Sequence, residues 1–239
     1  MKTLSSCFFI LTLCISCDNE TPSSTPLSST AIMGRNTVNE LPGNSANPYD
    51  AAGWITNELF ESYYENPIKP TSISSIISSV ETLAAANTNF KAIATASYHT
   101  VSSERIQTLL NLKDDSISNV ISNSSLSTAA KTSLITFITS FLDQFATESN
   151  GEVLYNSVVA YENTIAKSPT FTSNDKSILY LTTSIIRHSS YLAKKKPKKN
   201  TDPDWTILIL HIAASADGAE YGMAESITEG LAAGIASNQ

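Results

Sequence analysis

Between residues 47 and 236, apolar side chains recur at helical spacing in one segment after another, and residues that start or end helices bound these segments. The clearest segment covers residues 126–148, where one helical face carries Ala130, Leu134, Phe137, Ile138, Phe141 and Phe145. No run of alternating apolar and polar residues bounded by turn residues competes with this pattern. The sequence therefore predicts an all-α fold, an irregular bundle of about seven helices in one domain.

The strongest local signal is the start of the first helix. Asn47-Pro48-Tyr49-Asp50 offers an Asn N-cap, a proline at the first helical position and an acid at the third, and Asn66-Pro67 ends the helix. Later segments predict helices near residues 71–84, 90–94, 103–123 (one helix, or two broken near Asp114), 126–148, 154–167 and 173–192. The last helix is expected to begin at Asp202-Pro203-Asp204 and to continue unbroken to about Ala236.

All three cysteines lie within the first 17 residues. Lys2 followed by about a dozen apolar or small residues is typical of a bacterial export signal, and Ser16-Cys17 fits a lipoprotein signal peptidase. We therefore expect residues 1–16 to be removed and Cys17 to carry the lipid. A plain secretory signal is the alternative, although no Ala-x-Ala precedes a cleavage position. An uncleaved membrane anchor needs about 20 apolar residues, more than Leu4–Ser16 supplies.

Residues 17–46 are expected to form the acylated cysteine and a flexible tether, because they are rich in Ser, Thr and Pro and contain few apolar residues. About 29 residues of such a coil reach on the order of 30 Å. The helical domain would then cover residues 47–239. This layout predicts a lipid-anchored protein of the cell envelope, on the outer membrane of a Gram-negative bacterium and exposed at its surface.

The charge balance argues against a nucleic-acid partner. Removal of residues 1–16 takes only Lys2 from the 15 basic residues, which leaves 14 against 22 acidic residues and a net charge of −8. An acidic chain of this kind repels phosphate backbones. Ser and Thr account for 62 of 239 residues while charged residues are only 15% of the chain, so hydroxyl groups replace charges as the polar surface groups.

Motifs for catalysis and cofactor binding are missing from the sequence. It has no Gly-x-Ser-x-Gly, no His-Glu-x-x-His and no glycine-rich phosphate loop, so no catalytic residue, metal or cofactor is predicted. The three histidines are scattered: we expect His188 to face solvent and His211 to be a hydrogen-bonded core residue, and we expect no catalytic or metal-binding role for His99. A catalytic pair of carboxylates brought together by the fold stays an open possibility, because the spacing of such pairs along the chain is not fixed.

A basic cluster near residue 197 has two interpretations. It contains Lys194, Lys195, Lys196, Lys198 and Lys199. These lysines would suit anionic lipid headgroups, lipopolysaccharide or acidic glycans. The simpler interpretation, which we favour, is that lysines in a last helical turn oppose the helix dipole and that Pro197 ends the helix.

The last predicted helix contains two pairs of glycines four residues apart, Gly218 with Gly222 and Gly230 with Gly234. Such pairs let another backbone approach closely. We expect them to pack against a neighbouring helix inside a soluble bundle, with the Phe137–Phe145 face as one candidate. Insertion into a membrane is the alternative, but the strongly apolar stretch Trp205–Ala216 is too short to span.

The opening Asn47-Pro48-Tyr49-Asp50-Ala51-Ala52-Gly53, the lipoprotein signal and the acidic Gly/Ala-rich end together resemble a loose set of helical lipoproteins of Bacteroidota. Domains of that set often begin with Asn-Pro-Phe/Tyr-Asp-x-x-Gly. The resemblance implies a bacterial source and carries over no catalytic residues. We expect a non-catalytic domain that is held at the membrane by its N-terminal lipid and binds a protein or an envelope ligand. The alternatives are an envelope hydrolase that uses carboxylates brought together by the fold, and a membrane-active, toxin-like protein that uses the last helix.

Overall fold

The computed structural model describes residues 41–195 and 204–239, without the side chains of residues 195 and 204–207. Within these ranges the regular secondary structure is helical, with no strand. The helices are α1 (Asp50–Glu65), α2 (Ile73–Ala86), α3 (Thr88–Ile93), α4 (Ser103–Leu112), α5 (Ser116–Asn123), α6 (Thr128–Thr147), α7 (Gly151–Lys167), α8 (Ser173–Lys195), α9 (Asp204–Gly218) and α10 (Met223–Ala236). The predicted all-α bundle is confirmed, with more and shorter helices than the predicted seven.

Short polar side chains define where many of these helices begin. The side chains of five N-cap residues accept a hydrogen bond from a backbone N–H in the first turn: Ser72, Asn87, Ser102, Ser127 and Asn150. An N-cap of this kind is worth about 1 kcal/mol relative to alanine. The break predicted near Asp114 is also present, as a 3₁₀ turn at Lys113–Asp115 between α4 and α5. Part of the abundant serine and asparagine therefore serves to end one helix and start the next.

The first helix begins two residues later than the sequence predicted. The helix starts at Asp50, and Asn47 lies in a preceding turn where its side-chain oxygen accepts the Tyr49 N–H at 2.8 Å. Pro48 therefore precedes the helix and does not occupy its first position. The side-chain nitrogen of Asn47 donates to Glu162 of α7 and to the carbonyl of Tyr180 in α8, and these bonds fix the turn against the domain.

The centre of the molecule is formed by α8, α9 and α10. Helix α8 packs against α1, α7 and α9, and every residue from Ile178 to His188 is buried. Helices α9 and α10 lie antiparallel and pack closely, and α10 also contacts α1, α2 and α4. A helix that is enclosed on all sides needs few charges, which explains why Arg187 and His188 are the only ionisable residues other than Tyr180 between Ser177 and Ser190.

The single last helix that we expected is two helices. Helix α9 ends at Gly218 and α10 begins at Met223, with Gly222 as its N-cap residue. Gly222 has a φ of 157°, a backbone conformation that residues with a side chain rarely adopt. The chain therefore reverses here and folds α10 back along α9.

Residues 42–47, which we call the strap, pack on the folded domain. Pro42 is buried, and its carbonyl accepts a hydrogen bond from Arg187. The hydroxyl of Tyr155 donates to the carbonyl of Gly43 at 3.1 Å, and the Asn44 amide donates to Glu162 at 2.6 Å. The packed domain thus extends to residue 42, whereas the sequence placed residues 42–46 in the tether.

Candidate functional site

The most enclosed group of ionisable residues is the Arg187 cluster: Asn47, Asp50, Glu162, Arg187 and His188. The Arg187 side chain has no exposed surface, and its Nη2 atom lies 2.7 Å from Asp50 Oδ1. Its Nε atom lies 3.3 and 3.4 Å from the two Glu162 oxygens, and Nη1 donates to the carbonyl of Pro42. One guanidinium therefore joins α1, α7 and the strap to α8.

Asp50 is surrounded by donors. Besides Arg187, its carboxylate accepts hydrogen bonds from the Trp54 indole at 3.2 Å and from the Asn44 backbone N–H at 3.1 Å. Burial alone would raise the pKa of this carboxyl group, but the His188 hydrogen bond and the Arg187 charge outweigh burial and hold it well below its usual range. Asp50 is therefore ionised throughout the physiological range.

Glu162 is 2% exposed and is satisfied mainly by amides. Asn44 and Asn47 each donate to one of its oxygens at 2.6 Å, and the Asn47 amide also donates to the carbonyl of Tyr180 at 3.0 Å. The cluster holds two carboxyl groups against one guanidinium, so neutral donors from the strap complete the set of hydrogen bonds. A buried charge without such partners would cost several kcal/mol.

His188 is fully buried, so the prediction that it faces solvent is wrong. The sequence placed it on an outer face, whereas α8 is the central helix and has no outer face there. Burial lowers the pKa of His188 to about 4 despite the neighbouring Asp50. Because an ionised Asp50 can only accept, the proton of the neutral ring lies on Nε2, which is 3.2 Å from Asp50 Oδ1. The Nδ1 atom is buried and has no hydrogen-bond partner among the described residues.

The motif that opens the domain is explained by these contacts. Asn47 binds Glu162, Asp50 binds Arg187 and His188, and Gly53 supplies the space for the His188 ring. A Cβ atom on Gly53 would overlap that ring and would come within 2.7 Å of the carbonyl oxygen of Ser184. The Asn-x-x-Asp-x-x-Gly positions therefore act as an internal docking surface for α7 and α8.

A second group, the Arg105 cluster, lies where α4, α9 and α10 meet. It consists of Arg105, Asp217, Glu225 and Glu229. Arg105 and Asp217 form a two-point ion pair, with Nε–Oδ2 and Nη2–Oδ1 distances of 2.5 Å. The Arg105 side chain is 35% exposed, so this cluster is closer to solvent than the Arg187 cluster.

Glu229 has the most unusual electrostatics in the Arg105 cluster. Its Oε2 atom is buried and has no hydrogen-bond partner within the described part of the chain. Burial first, and then the charges of Asp217 and Glu225, raise its pKa to about 8, against the opposing effect of Arg105. A carboxyl group that stays protonated at neutral pH beside an ionised one is the arrangement that general acid–base catalysis uses.

The glycines predicted to pack helices lie between α9 and α10. A Cβ atom on Gly218 would come within 2.5 Å of the Glu225 carbonyl oxygen, one on Gly230 would overlap Ser215, and one on Gly234 would lie 3.1 Å from His211 Nδ1. Their neighbours are residues of this helix pair, and the Phe137–Phe145 face of α6 is not among the nearest atoms. Gly222 differs from the other three because it lies in the turn between the helices.

His211 is 4% exposed, as expected of a core residue, but Nε2 has no hydrogen-bond partner among the residues described. Burial lowers its pKa to about 4. Ser215, one turn further along α9, is fully buried and its hydroxyl group is also without a partner there. Both side chains face the glycine side of α10, and their burial closes them to a substrate.

The five lysines of the basic cluster, for which contact with an anionic surface was the less favoured interpretation, are only partly described. Lys194 donates to the carbonyl of Phe145 at 2.8 Å, and its amino group lies 4.1 Å from the centre of the Phe145 ring. Lys194 thus satisfies an open carbonyl in the last turn of α6. The side chain of Lys195, the three remaining lysines at 196, 198 and 199, and the acylation site Cys17 lie outside the described residues.

No grouping of three His, Cys, Asp or Glu side chains in residues 41–195 and 204–239 could hold a metal ion. None of the described helices combines the length and the apolar character that crossing a bilayer requires. Comparison of the chain with protein-family models, with curated proteins and with solved structures finds no match.

Sequence reasoning missed the partners of the Arg187 cluster, although one signal was available. Arg187 and His188 interrupt a stretch of α8 in which the other polar residues are only Thr, Ser and Tyr, and such a helix is buried on all sides. A buried arginine needs a carboxylate. The sequence does not indicate which carboxylate, because Asp50 lies 137 residues away.

Proposed function

We propose that this chain is an exported lipoprotein whose helical domain is non-catalytic and binds a protein or a cell-envelope ligand. The observation that carries the proposal is that every member of the Arg187 cluster is buried. Because Arg187 and His188 have no exposed side-chain surface, a substrate cannot reach them. Their chemistry is used to fasten helices together, as in a binding or scaffold domain.

The anchor is the second part of the proposal. We propose that Cys17 carries the lipid, that residues 18–41 connect it to the domain, and that the strap fixes this connection to α7 and α8 through Tyr155 and Arg187. The resemblance to helical lipoproteins of Bacteroidota belongs to the same proposal. Labelling of growing cells with a fatty-acid analogue should mark the wild type and leave Cys17→Ala unlabelled. Continued labelling and membrane retention of Cys17→Ala would refute the lipid anchor.

Binding without catalysis is tested by photo-crosslinking in intact cells. Ile68 and Tyr221 are the best reporter positions, because their side chains are 78% and 71% exposed large apolar groups. A photoreactive amino acid at either position should give a discrete adduct of one partner, while the same residue at the buried Leu134 should give none. The absence of adducts at both exposed positions would contradict a binding role at these surfaces.

An envelope hydrolase is the second candidate, because Glu229, with its pKa of about 8, lies near the Asp217 carboxyl group that pairs with Arg105. In this alternative Glu229 would donate a proton and Asp217 would activate water. Glycan and peptide substrates incubated with the purified domain decide between the two functions. Hydrolysis that disappears in Glu229→Gln while the fold is retained would replace the binding proposal with this one.

A membrane-active role through α9 and α10 is a third outcome. Leakage of anionic vesicles by the purified domain would support it. The glycines that suggested this role pack α9 against α10, so we expect no leakage.

A further inference from the structure

We propose that Glu229 with Asp217 and Arg105 forms a latch that joins α10 to α4 and α9 and opens in mildly alkaline solution. The geometry is that of one cation shared unequally among carboxyl groups. Arg105 directs both of its bonding nitrogen atoms at Asp217. Glu229 receives no hydrogen bond from Arg105, and its buried Oε2 atom has no partner within the described ranges.

The groups around Glu229 come from several elements. Arg105 belongs to α4, Asp217 to α9 and Glu225 to α10 itself, and all three act on Glu229 electrostatically. On the side of α2, Glu81 accepts the Tyr98 hydroxyl at 2.7 Å, and that hydroxyl lies 3.2 Å from Oγ1 of Thr228. With Glu229 protonated, Arg105, Asp217 and Glu225 sum to one negative charge, and ionisation raises the sum to two.

Helices α9 and α10 are closely packed where the charge on an ionised Glu229 would form. The α9–α10 hairpin is so tight at this end that a Cβ atom on Gly218 would lie 2.5 Å from the Glu225 carbonyl oxygen. With Glu229 ionised, its buried Oε2 atom would carry charge where no donor of the described residues lies, and movement of α10 away from α9 or α4 would give that atom access to water. An unpaired carboxylate at a largely buried position is costly, and the cost falls when the helix opens toward water.

The effect of pH on the latch has a defined sign. Burial and the neighbouring carboxylates raise the pKa of Glu229 to about 8. The folded protein thus keeps a proton that the unfolded chain loses near the ordinary value of 4.5. Stability from this group falls as the pH rises from 4.5 and stops falling once the pH exceeds about 8. Between pH 7 and pH 9 the opening equilibrium of α10 should rise about tenfold.

Amide hydrogen exchange on the full domain tests the proposal, with rates corrected for base-catalysed intrinsic exchange. The opening equilibrium of amides in residues 223–232 should rise about tenfold between pH 7 and pH 9 in the wild type. Glu229→Gln should remove this rise. The matched control Glu152→Gln, at an exposed position in α7, should retain it.

A second variant keeps the test decisive if Glu229→Gln does not fold. Asp217→Asn removes one repelling charge and leaves Arg105 available to Glu229. The opening equilibrium of this variant should therefore rise less between pH 7 and pH 9 than that of the wild type. An unchanged opening equilibrium in the wild type, or an equal rise in wild type and Glu229→Gln, would overturn the latch.

Discussion

The Nη2 atom of Arg187 lies 2.7 Å from Asp50 Oδ1, and the arginine side chain has no exposed surface. The two residues are 137 positions apart, so their pairing joins the start of the domain to its central helix. Glu162 accepts a hydrogen bond from Nε of the same guanidinium, and the carbonyl of Pro42 accepts one from Nη1. This arrangement makes Arg187 a structural residue whose loss affects α1, α7 and the strap together.

We expect Arg187→Met to lower the free energy of unfolding by roughly 3–5 kcal/mol, because it leaves Asp50 and Glu162 buried without their cation. Urea unfolding followed by circular dichroism measures this change. The control Lys91→Met removes an exposed cation and should change stability by less than about 0.5 kcal/mol. Combining Arg187→Met with Asp50→Asn should recover part of the loss, since one uncompensated charge disappears. A loss similar to that of Lys91→Met would show that the cluster does not fasten the fold.

Gly53→Ala should destabilise the domain by about 1–3 kcal/mol, because the new methyl group overlaps the His188 ring. The same substitution at Gly151 is the matched control. A Cβ atom there lies 3.4 Å from its nearest neighbours in Lys194 and Tyr191, which is an ordinary contact. Gly151→Ala should therefore melt at the same temperature as the wild type or slightly higher, since alanine favours the helix. Equal melting temperatures for the two variants would contradict the packing of Gly53 against His188.

The helices were predictable because their signals are local. Apolar spacing and the break near Asp114 depend on neighbours within a few residues, and the structure contains both. The predicted cap at Asn47 is not the N-cap of α1, which is Tyr49. The turn at Gly218–Gly222 was missed because glycines four apart suit both a helix groove and a chain reversal. Only the contact between α9 and α10 separates these possibilities.

The Arg187 cluster was not predictable for a different reason. Its members come from the strap, α1, α7 and α8, and no local pattern states which buried carboxylate meets which cation. The assignment of His188 to solvent failed because it assumed that a charged pair in a helix marks an outer face. In α8 the charges are neutralised by residues from three other segments, so the helix can be buried on all sides.

The strap should contribute measurably to stability. Asn47→Ala removes the amide that donates to Glu162 at 2.6 Å and to the Tyr180 carbonyl at 3.0 Å, which leaves two buried acceptors with one partner fewer. We expect a loss of about 1–3 kcal/mol in the free energy of unfolding. Ser45→Ala changes an exposed residue of the same segment and should have no measurable effect. Deletion of residues 18–40 should leave the melting temperature unchanged, while deletion through residue 47 should lower it. Equal melting temperatures for both deletions would show that the strap is dispensable.

Buried histidines should make the domain sensitive to acid. Burial lowers the pKa of His188 and of His211 to about 4, whereas the unfolded chain binds those protons near pH 6.5. Stability from each ring is therefore fully present above pH 6.5 and is lost as the pH falls toward 4, by about 1.4 kcal/mol per pH unit. Glu229 acts in the opposite direction over this range, equally in wild type and histidine variants, and so cancels in their comparison.

His211→Asn tests the acid sensitivity, because it removes one of the two titrating rings and leaves Glu229 in place. Urea unfolding at pH 6.5, 5.5 and 4.5 should show a pH dependence that is shallower than that of the wild type by about 1 kcal/mol per unit, whatever the variant loses at neutral pH. The control His99→Asn changes a side chain that is 79% exposed and should keep the wild-type dependence. The structure encloses the His211 ring between α9 and the glycine face of α10, so the ring should bind a proton less readily in the folded state than in the unfolded chain. A His211→Asn curve parallel to that of the wild type would contradict this expectation.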